Sequence, residues 1–596
     1  MENREILGVN NKKVSDLIIN FMLIKNLPTH YRFVRKNHRG KLLNKKTPVS
    51  PFLYLIDLVK KHPELEDRIA IIEDRKITYG ELISETIILS QYLHNIIKSK
   101  KGEKISICAS SSIEGIEAFF AMNSLGLVNA RIFNGSKKDK LNHNLEDFDS
   151  KTIFTDAHNI DELAISLEET NIQDVILMEE VPEEKIHHFK ELNPSVRVVT
   201  WQEVQQYKVD YNHLYFEPVE VTDIASILYT SGSSGEPKPI SIPNRVYVNM
   251  PDIVISTTNM PTCDSEKAVG VVSHEYPYAA INSTIMVLLM GKTLIMPKHT
   301  KDNKMDFDDL FKNYPEKIQA IPNFYKLLES AKKSGELKLK DASFLSTIVS
   351  GGETFSKEEK IETIRFLNTL LADPLLIDGF GFGELGSATA LKFGLSDYFL
   401  LMNGIEAKAI DPETGKKLPS GKEGVLCITS PSIADGYYNN EEATKNSFIT
   451  DSNGTKWFKS DTYGSVHGLF NRLIKLGGRI REYFITGDGN GNFVKVYAGN
   501  VEKAILSTGF VKTCVVVPSD GKGLPTPVAY VSLLDNFQLS EEEVKVKIEE
   551  ACQSLELFAQ PSEIKIEEEI KRTPANKKDY NYYRKLQLDK GKTKTK

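Results

Sequence analysis

Between Thr230 and Lys238 the chain reads Thr-Ser-Gly-Ser-Ser-Gly-Glu-Pro-Lys, a run of hydroxyls and glycines closed by one ammonium group. The chemistry open to such a run is the binding of phosphate. Gly232 and Gly235 let the backbone take positive φ and approach a ligand closely. Successive N–H groups, together with the hydroxyls of Thr230, Ser231, Ser233 and Ser234, can wrap phosphate oxygens. Lys238 adds a positive charge beside them. The spacing is not that of a Walker A loop, because only two residues separate the glycines and no Gly-Lys-Ser/Thr follows. A Gly/Ser surface loop is the plain alternative, and the surrounding elements must decide.

Ile224 to Tyr229 is an apolar strand that runs directly into the loop. Upstream, a helix is predicted over Phe52–Lys61 and a strand over Ile69–Ile72, and a long amphipathic helix opens at Thr78 and runs to about Ile97. Strand Ile105–Ala109, helix Ile113–Leu125 and strand Val128–Phe133 form a βαβ unit, with further strands at Thr152–Thr155 and Val175–Met178. Strands at this spacing with helices between them predict an α/β fold with doubly wound, mostly parallel sheets. In such sheets ligands bind beyond the C-terminal ends of strands, which is where the loop falls.

Past residue 395 the texture changes. Gly404–Ile428 alternates short strands and turns and predicts a small β-rich subdomain. Gly477–Asn492, rich in glycine and charge, reads as a hinge or exposed loop. From Phe493 a strand–helix–strand–strand–helix pattern predicts a smaller mobile α+β domain, followed by a basic, disordered tail at Lys590–Lys596. The expected division is a leader (1–47), a main domain (48–478) and a C-terminal domain (479–596). Within the leader, Val14–Lys25 reads as a helix, followed by a basic stretch from Tyr31 to Lys46; it is expected either to dock on the main domain or to serve as a partner-binding or membrane-surface segment.

At 596 residues the chain holds roughly three or four domains' worth of material. Its 40% hydrophobic and 26% charged content are those of a globular protein, and a net charge of −6 gives no reason to expect nucleic acid as a partner. Five scattered cysteines (108, 263, 427, 514, 552), with no CxxC or Cys/His cluster, point to reduced thiols and away from structural zinc. No apolar run reaches membrane-spanning length. The expectation is a cytoplasmic protein whose only route to membrane contact is the leader.

The loop fits the AMP-binding signature of adenylate-forming enzymes, the superfamily of acyl-CoA synthetases, peptide-synthetase adenylation domains and luciferase-like ligases. The rest of the chain resembles that superfamily collinearly from about residue 50. Ile77-Thr-Tyr-Gly-Glu-Leu82 resembles its early "LTYxEL", and Ser350-Gly-Gly-Glu353 its strand-turn lining the adenine and acyl pocket. Asp378-Gly-Phe-Gly-Phe-Gly-Glu384 resembles "YGxTE". Lys417-Leu-Pro-Ser-Gly421 with Gly436-Tyr-Tyr-Asn-Asn-Glu-Glu-Ala-Thr444 resembles "LPxGExGE…GYxNxxExT". Trp457-Phe-Lys-Ser-Asp461 resembles the aspartate motif, and Arg572-Thr-Pro-Ala-Asn-Lys577-Lys-Asp579 the terminal "RTxxGKxD".

The resemblance implies ATP with Mg²⁺, and CoA or the phosphopantetheine of a carrier protein as acceptor for a small carboxylic acid. It implies an acyl-adenylate that passes to a thiol after the C-terminal domain swings about its hinge. Glu384 and Thr230 would hold Mg²⁺, a hard cation that takes oxygen ligands. Thr230 to Gly235, Gly352, Glu353, Phe380, Gly381, Asp461 and Arg479 would bind nucleotide, with Phe380 beside adenine and Asp461 on the ribose hydroxyls. Lys577, Glu384 and Lys238 would be catalytic, and His274 and Gly351 would line the acyl pocket. His274 also reads as a structural histidine, and Lys578 competes with Lys577 for its register. Arg472 competes with Arg479, whose alignment makes Arg481 the hinge and puts an insertion at about Gly487–Asn492. Pro239, Gly383 and Asn576 depart from the superfamily pattern, which leaves open a catalytically impaired nucleotide-binding homologue. An amino-acid-type enzyme loading a carrier protein is a further alternative.

Overall fold

The computed structural model describes residues 30–36, 42–229, 238–258, 269–271, 277–297, 305–352, 355, 357–412, 414–468, 471–479, 483–487, 493–519, 525–534, 540–553, 555–572 and 578–593. They fall into two compact units, one of residues 1–230, 238–406 and 428–458, the other of 231–237, 407–427 and 459–596.

Two sheets organise the first unit, and parallel strands form the middle of each, as the sequence pattern predicts. In one, the strands run in the order Gly436–Tyr437, Pro239–Pro243, Ile224–Tyr229, Val128–Arg131, Lys104–Cys108, Thr152–Thr155, Asp174–Leu177 and Arg197–Thr200. Every pairing from Ile224–Tyr229 outward to Arg197–Thr200 is parallel. The other has Leu375–Phe382, Thr347–Gly351, Lys317–Ala320, Val269–Val271, Leu294–Ile295 and Ile69–Ile72 as its parallel centre. Strands buried on both faces read as unbroken apolar runs; Val175, Ile176 and Leu177 are all buried.

The first motif turns out to be structural. Thr78 caps the helix Tyr79–Tyr92, its side chain accepting from Glu81 N–H while the Glu81 carboxylate accepts from Thr78 N–H, a reciprocal capping box. Fully buried Tyr79 donates to the carbonyls of Leu288 and Lys292 at 3.0 and 2.8 Å. It thereby ties the helix start to a segment more than two hundred residues away. Around it Phe52, Leu82, Phe119, Phe120, Tyr247 and Leu288 belong to one core drawn from helices Pro51–Lys61, Tyr79–Tyr92, Ile113–Ser124, Asn244–Thr258 and Pro277–Leu289.

The same region buries a carboxyl group. Glu73 accepts the Ile113 N–H at 2.9 Å, and burial pushes its pKa up to about 8. A carboxyl whose folded pKa is raised stabilises the fold fully below its unfolded pKa, and that contribution is lost as pH rises through the folded value. The melting temperature should therefore fall between about pH 5 and pH 8. Glu73→Gln, which keeps an acceptor but cannot ionise, should flatten that fall; an unchanged slope would show that another group titrates.

The strands Glu406–Ile410, Glu423–Thr429, Lys456–His467 and Leu473–Arg479, most of whose residues belong to the second unit, neighbour one another in that order, so the β-rich texture after residue 404 is real. A three-stranded sheet of Val511–Pro518, Pro527–Leu533 and Glu563–Ile566 follows, with helices Ala498–Leu506, Glu541–Cys552 and Tyr580–Thr593.

Two expectations need correction, and a third lies partly outside the described residues. Gly477–Asn492 is not a continuous loop: Gly477–Arg479 finishes a strand, and Tyr483–Gly487 pairs with Phe493–Tyr497 in a hairpin. Cross-strand pairing overrides the local glycine signal there, and Arg481 lies outside the described residues. The basic leader stretch forms an antiparallel hairpin, His30–Lys36 with Leu42–Pro48, whereas the helix expected at Val14–Lys25 lies outside the described residues. The tail does not fray at Lys590, because the last helix runs to Thr593.

Cys108, Cys427, Cys514 and Cys552 are buried free thiols. Burial pushes Cys108 up to about 12 and Cys427 and Cys552 up to about 11, which keeps them as inert thiols. No helix among the described residues is long and apolar enough to cross a membrane.

Candidate active site

The strand that feeds the hydroxyl loop is fixed at both of the loop's ends. Ala225 to Tyr229 are buried, with Ser226 and Ile227 in parallel register with Asn129 and Ala130. Pro239 starts the returning strand, directly opposite Tyr229. A proline at the first residue of a strand forfeits little, since it has no N–H to give the ladder, and its carbonyl accepts the Tyr438 N–H at 2.8 Å. Thr230, Ser231, Gly232, Ser233, Ser234 and Gly235 lie outside the described residues, as do His274, Glu353 and Lys577.

Glu384 is 7% exposed, not a solvated loop glutamate. Strand Leu375–Phe382 delivers it into a single 3₁₀ turn, Gly383–Leu385. The turn exits through Gly386 at φ +92°, where a Cβ would come within 2.9 Å of Ser432 Cβ and Val246 Cγ1, so only glycine fits. The Glu384 carbonyl accepts the Ala434 N–H at 2.8 Å, and its Oε1 accepts the Tyr437 phenol at 2.6 Å. Tyr437 also presents its ring to Lys238, whose Nζ lies 5.3 Å from the ring centroid.

The segment carrying Tyr437 is tethered elsewhere too. Asn249 donates to Pro431 O and Arg245 to Ile433 O, each at 3.0 Å; Arg245 pairs with Asp435, and Lys456 donates to Ala434 O at 3.0 Å. Three sequence-distant motif segments, at Lys238, Glu384 and Gly436–Thr444, are thus brought together.

Phe380 and Gly381 lie on the strand leading to Glu384. Phe380 meets Phe382 at 5.0 Å and Phe399 at 5.8 Å between ring centroids, in an aromatic cluster only partly buried at Phe380. Gly351, on the parallel neighbour, faces Gly379; a Cβ at 351 would stand 2.9 Å from Gly379 O. Gly352 follows at φ +82°. On the same strand as Phe380, Asp378 Oδ2 takes Lys360 Nζ at 2.7 Å and Lys392 Nζ at 3.3 Å, all three groups largely buried. Desolvation lowers the Lys360 pKa.

In the second unit, Asp461 occupies mid-strand on Lys456–His467, half-buried, next to Ser460, whose hydroxyl is turned inward onto Leu426 O at 2.8 Å. Its neighbour Thr462 is paired with Arg479 across the strands. Arg472 precedes that strand.

Lys578 is committed to its own unit. Its Nζ pairs with Glu502 Oε2 at 2.6 Å and donates to Cys514 O at 3.0 Å, while the Tyr580 phenol donates to Glu502 Oε1 at 2.8 Å. Burial opposes its charge, but Glu502 holds its pKa well above the ordinary lysine range. A bridge between Arg572 and Lys578 closes the terminal motif segment.

A divalent cation with nucleotide phosphates fits the donors present. Glu384 offers a hard carboxylate oxygen, buried and oriented by a phenol. Among the described residues no cluster of three His, Cys, Asp or Glu side chains could cage a metal alone. That donor set suits Mg²⁺ held jointly by one carboxylate, phosphate oxygens and water.

The family model of the AMP-binding enzyme matches residues 59–438. The chain belongs to the AMP-binding enzyme family. It is a member of the adenylate-forming superfamily that its motifs resemble, in class an ATP-dependent acid–thiol ligase. Petroselinum crispum 4-coumarate–CoA ligase 1 is 23% identical over 529 residues, covering 83% of this chain and 88% of the relative. A probable 4-coumarate–CoA ligase 2 of Dictyostelium discoideum is 29% identical over 340 residues, 54% of this chain and 56% of the relative. ATP-bound MatB from Rhodopseudomonas palustris superposes with a TM-score of 0.72 at 18% identity, covering 90% of this chain and 98% of MatB. The anthranilate CoA ligase AuaEII, solved with anthranoyl-AMP, gives 0.73 at 17% identity over 96% of this chain and 99% of its own. The two-sheet architecture of this AMP-binding enzyme is therefore the fold of those structures.

Sequence reading assigned no role to Tyr437, Glu502 or the Lys360–Asp378–Lys392 group. Tyr437 and Asp378 stood inside motifs, while Glu502, Lys360 and Lys392 did not.

Proposed function

We propose that this AMP-binding enzyme activates a small carboxylic acid with ATP and Mg²⁺ and transfers the acyl group to CoA. The observation that carries the reading is the gathering of Lys238 and Glu384 around Tyr437, beside the end of the strand that feeds the hydroxyl loop. Near-full-length likeness to 4-coumarate–CoA ligases supports CoA as the acceptor over a carrier protein.

The substrate carboxylate attacks the α-phosphorus of ATP and pyrophosphate leaves; the thiol, losing its proton, then attacks the acyl carbon of the adenylate, forming the thioester and releasing AMP. In this reading Mg²⁺, when bound, neutralises phosphate charge. Glu384 and Thr230 would hold it, Lys238 and the Thr230–Gly235 run would bind phosphate oxygens, and Lys577 would meet the carboxylate and α-phosphate. Phe380 and Gly381 lie along adenine with Gly352 and Glu353, and Asp461 and Arg479 are the ribose ligands. His274 and Gly351 border the acid. The division into a main domain (48–478) and a C-terminal domain that reorients between half-reactions belongs to the same proposal. Rate comes from placing reactants and from charge already in position, since little covalent chemistry falls to the protein.

ATP–pyrophosphate exchange across a panel of aliphatic and aromatic acids tests this. Acid-dependent exchange, followed by thioester formation on adding CoA, is expected. Exchange without a thioester would turn the acceptor toward a carrier protein or an amine; ATP binding without exchange for any acid would mark an impaired homologue.

A further inference from the structure

Tyr437 stands between the two charged groups of the site, and its backbone is fixed at three points. Its N–H donates to Thr444 Oγ1 at 2.9 Å, its residue pairs with Ile240 across an antiparallel bridge, and the next N–H, of Tyr438, donates to Pro239 O at 2.8 Å. The preceding Gly436 sits at φ +152° with its Cβ position 2.5 Å from Thr444 Cγ2, so a side chain there would displace the turn. The phenol therefore arrives at Glu384 Oε1 from a constrained direction, 2.6 Å away, and its ring arrives at Lys238.

We infer that Tyr437 is a positioning residue that aims the Glu384 carboxylate at the divalent cation of the nucleotide while seating Lys238 on its ring. A hydrogen bond to a carboxylate is short and strong. It fixes the carboxylate plane and leaves its direction of approach to a metal defined before nucleotide arrives. Groups that orient metal ligands in this way typically matter about 10–100-fold in metal affinity. The inference rests on Glu384 as the metal ligand, proposed above.

The test needs no acid substrate. ATP affinity is measured by calorimetry with excess Mg²⁺ and again with chelator, and the ratio of the two is the metal's contribution. In Glu384→Gln the ratio should collapse to near one. In Tyr437→Phe, which keeps the ring under Lys238 but loses the hydroxyl, it should fall about tenfold, with affinity in chelator and the ligand-free melting temperature unchanged. In Tyr437→Leu the affinity in chelator should fall as well, because the ring is gone.

If Glu384→Gln keeps the wild-type ratio, the metal-ligand reading fails. If Glu384→Gln loses it but Tyr437→Phe does not, Glu384 stands and the inference about Tyr437 is overturned. Should Tyr437→Phe melt early, Thr444→Val takes its place, removing the acceptor that holds the Tyr437 N–H. A lowered ratio in that variant supports the inference, and a wild-type ratio overturns it.

Discussion

Lys577→Ala should lower acid-dependent ATP–pyrophosphate exchange by about 10²–10³-fold, the usual loss for one donor aimed at developing charge, while ATP still binds. The neighbouring lysine should behave differently. Lys578 is engaged by Glu502 and Cys514 O inside its own unit. Lys578→Ala strands a buried glutamate and should cost roughly 3 kcal/mol of stability, with exchange per folded molecule changed by less than about tenfold. Urea unfolding and exchange measured on both variants separate the roles. A folded but inactive Lys578→Ala beside an active Lys577→Ala would shift the motif register by one.

The second large effect concerns stability. Asp378→Asn removes the carboxylate charge that, among the described residues, pairs with both Lys360 and Lys392, whose Nζ atoms share its Oδ2 at 2.7 and 3.3 Å. Breaking a buried ion pair by deleting one partner commonly costs about 3–5 kcal/mol. Lys360 is 2% exposed and cannot relax into water. Adding Lys360→Met should recover much of the loss, because the unpaired charge disappears with it. The midpoint of urea unfolding reads both changes, and a loss under about 1 kcal/mol in Asp378→Asn would mean that Lys360 gives up its proton instead.

Much of the fold could be read from one sequence because its strands are short apolar runs punctuated by helices. Ile224–Tyr229, Ile69–Ile72 and Thr152–Thr155 match their expected bounds residue for residue. The misreadings share one cause. At Gly477–Asn492 and Lys590 the local composition favours a loop, while pairing with Tyr463 and Thr462, or continuation of the last helix, decides otherwise. Of the candidate site, motifs name the charged residues Glu384, Asp461 and Lys238, and the structure brings Glu384 and Lys238 together around Tyr437. The site was illegible where a residue acts through a distant partner. Tyr437 meets Glu384 across 53 residues, and Lys578 meets Glu502 across 76, separations that one sequence cannot reveal.

The Lys578 anchorage has a consequence for modularity. Glu502, Cys514 and Tyr580, the groups that fix Lys578 and gather round its pair, all lie between Phe493 and Thr593. The core beneath them, including Val496, Val501, Val516, Val531 and Ile548, is drawn from the same stretch. The terminal lysine motif thus travels with its own jig. A graft of that stretch onto a related enzyme would import the alignment along with the residues, and drift in the rest of the chain would leave the lysine's footing untouched.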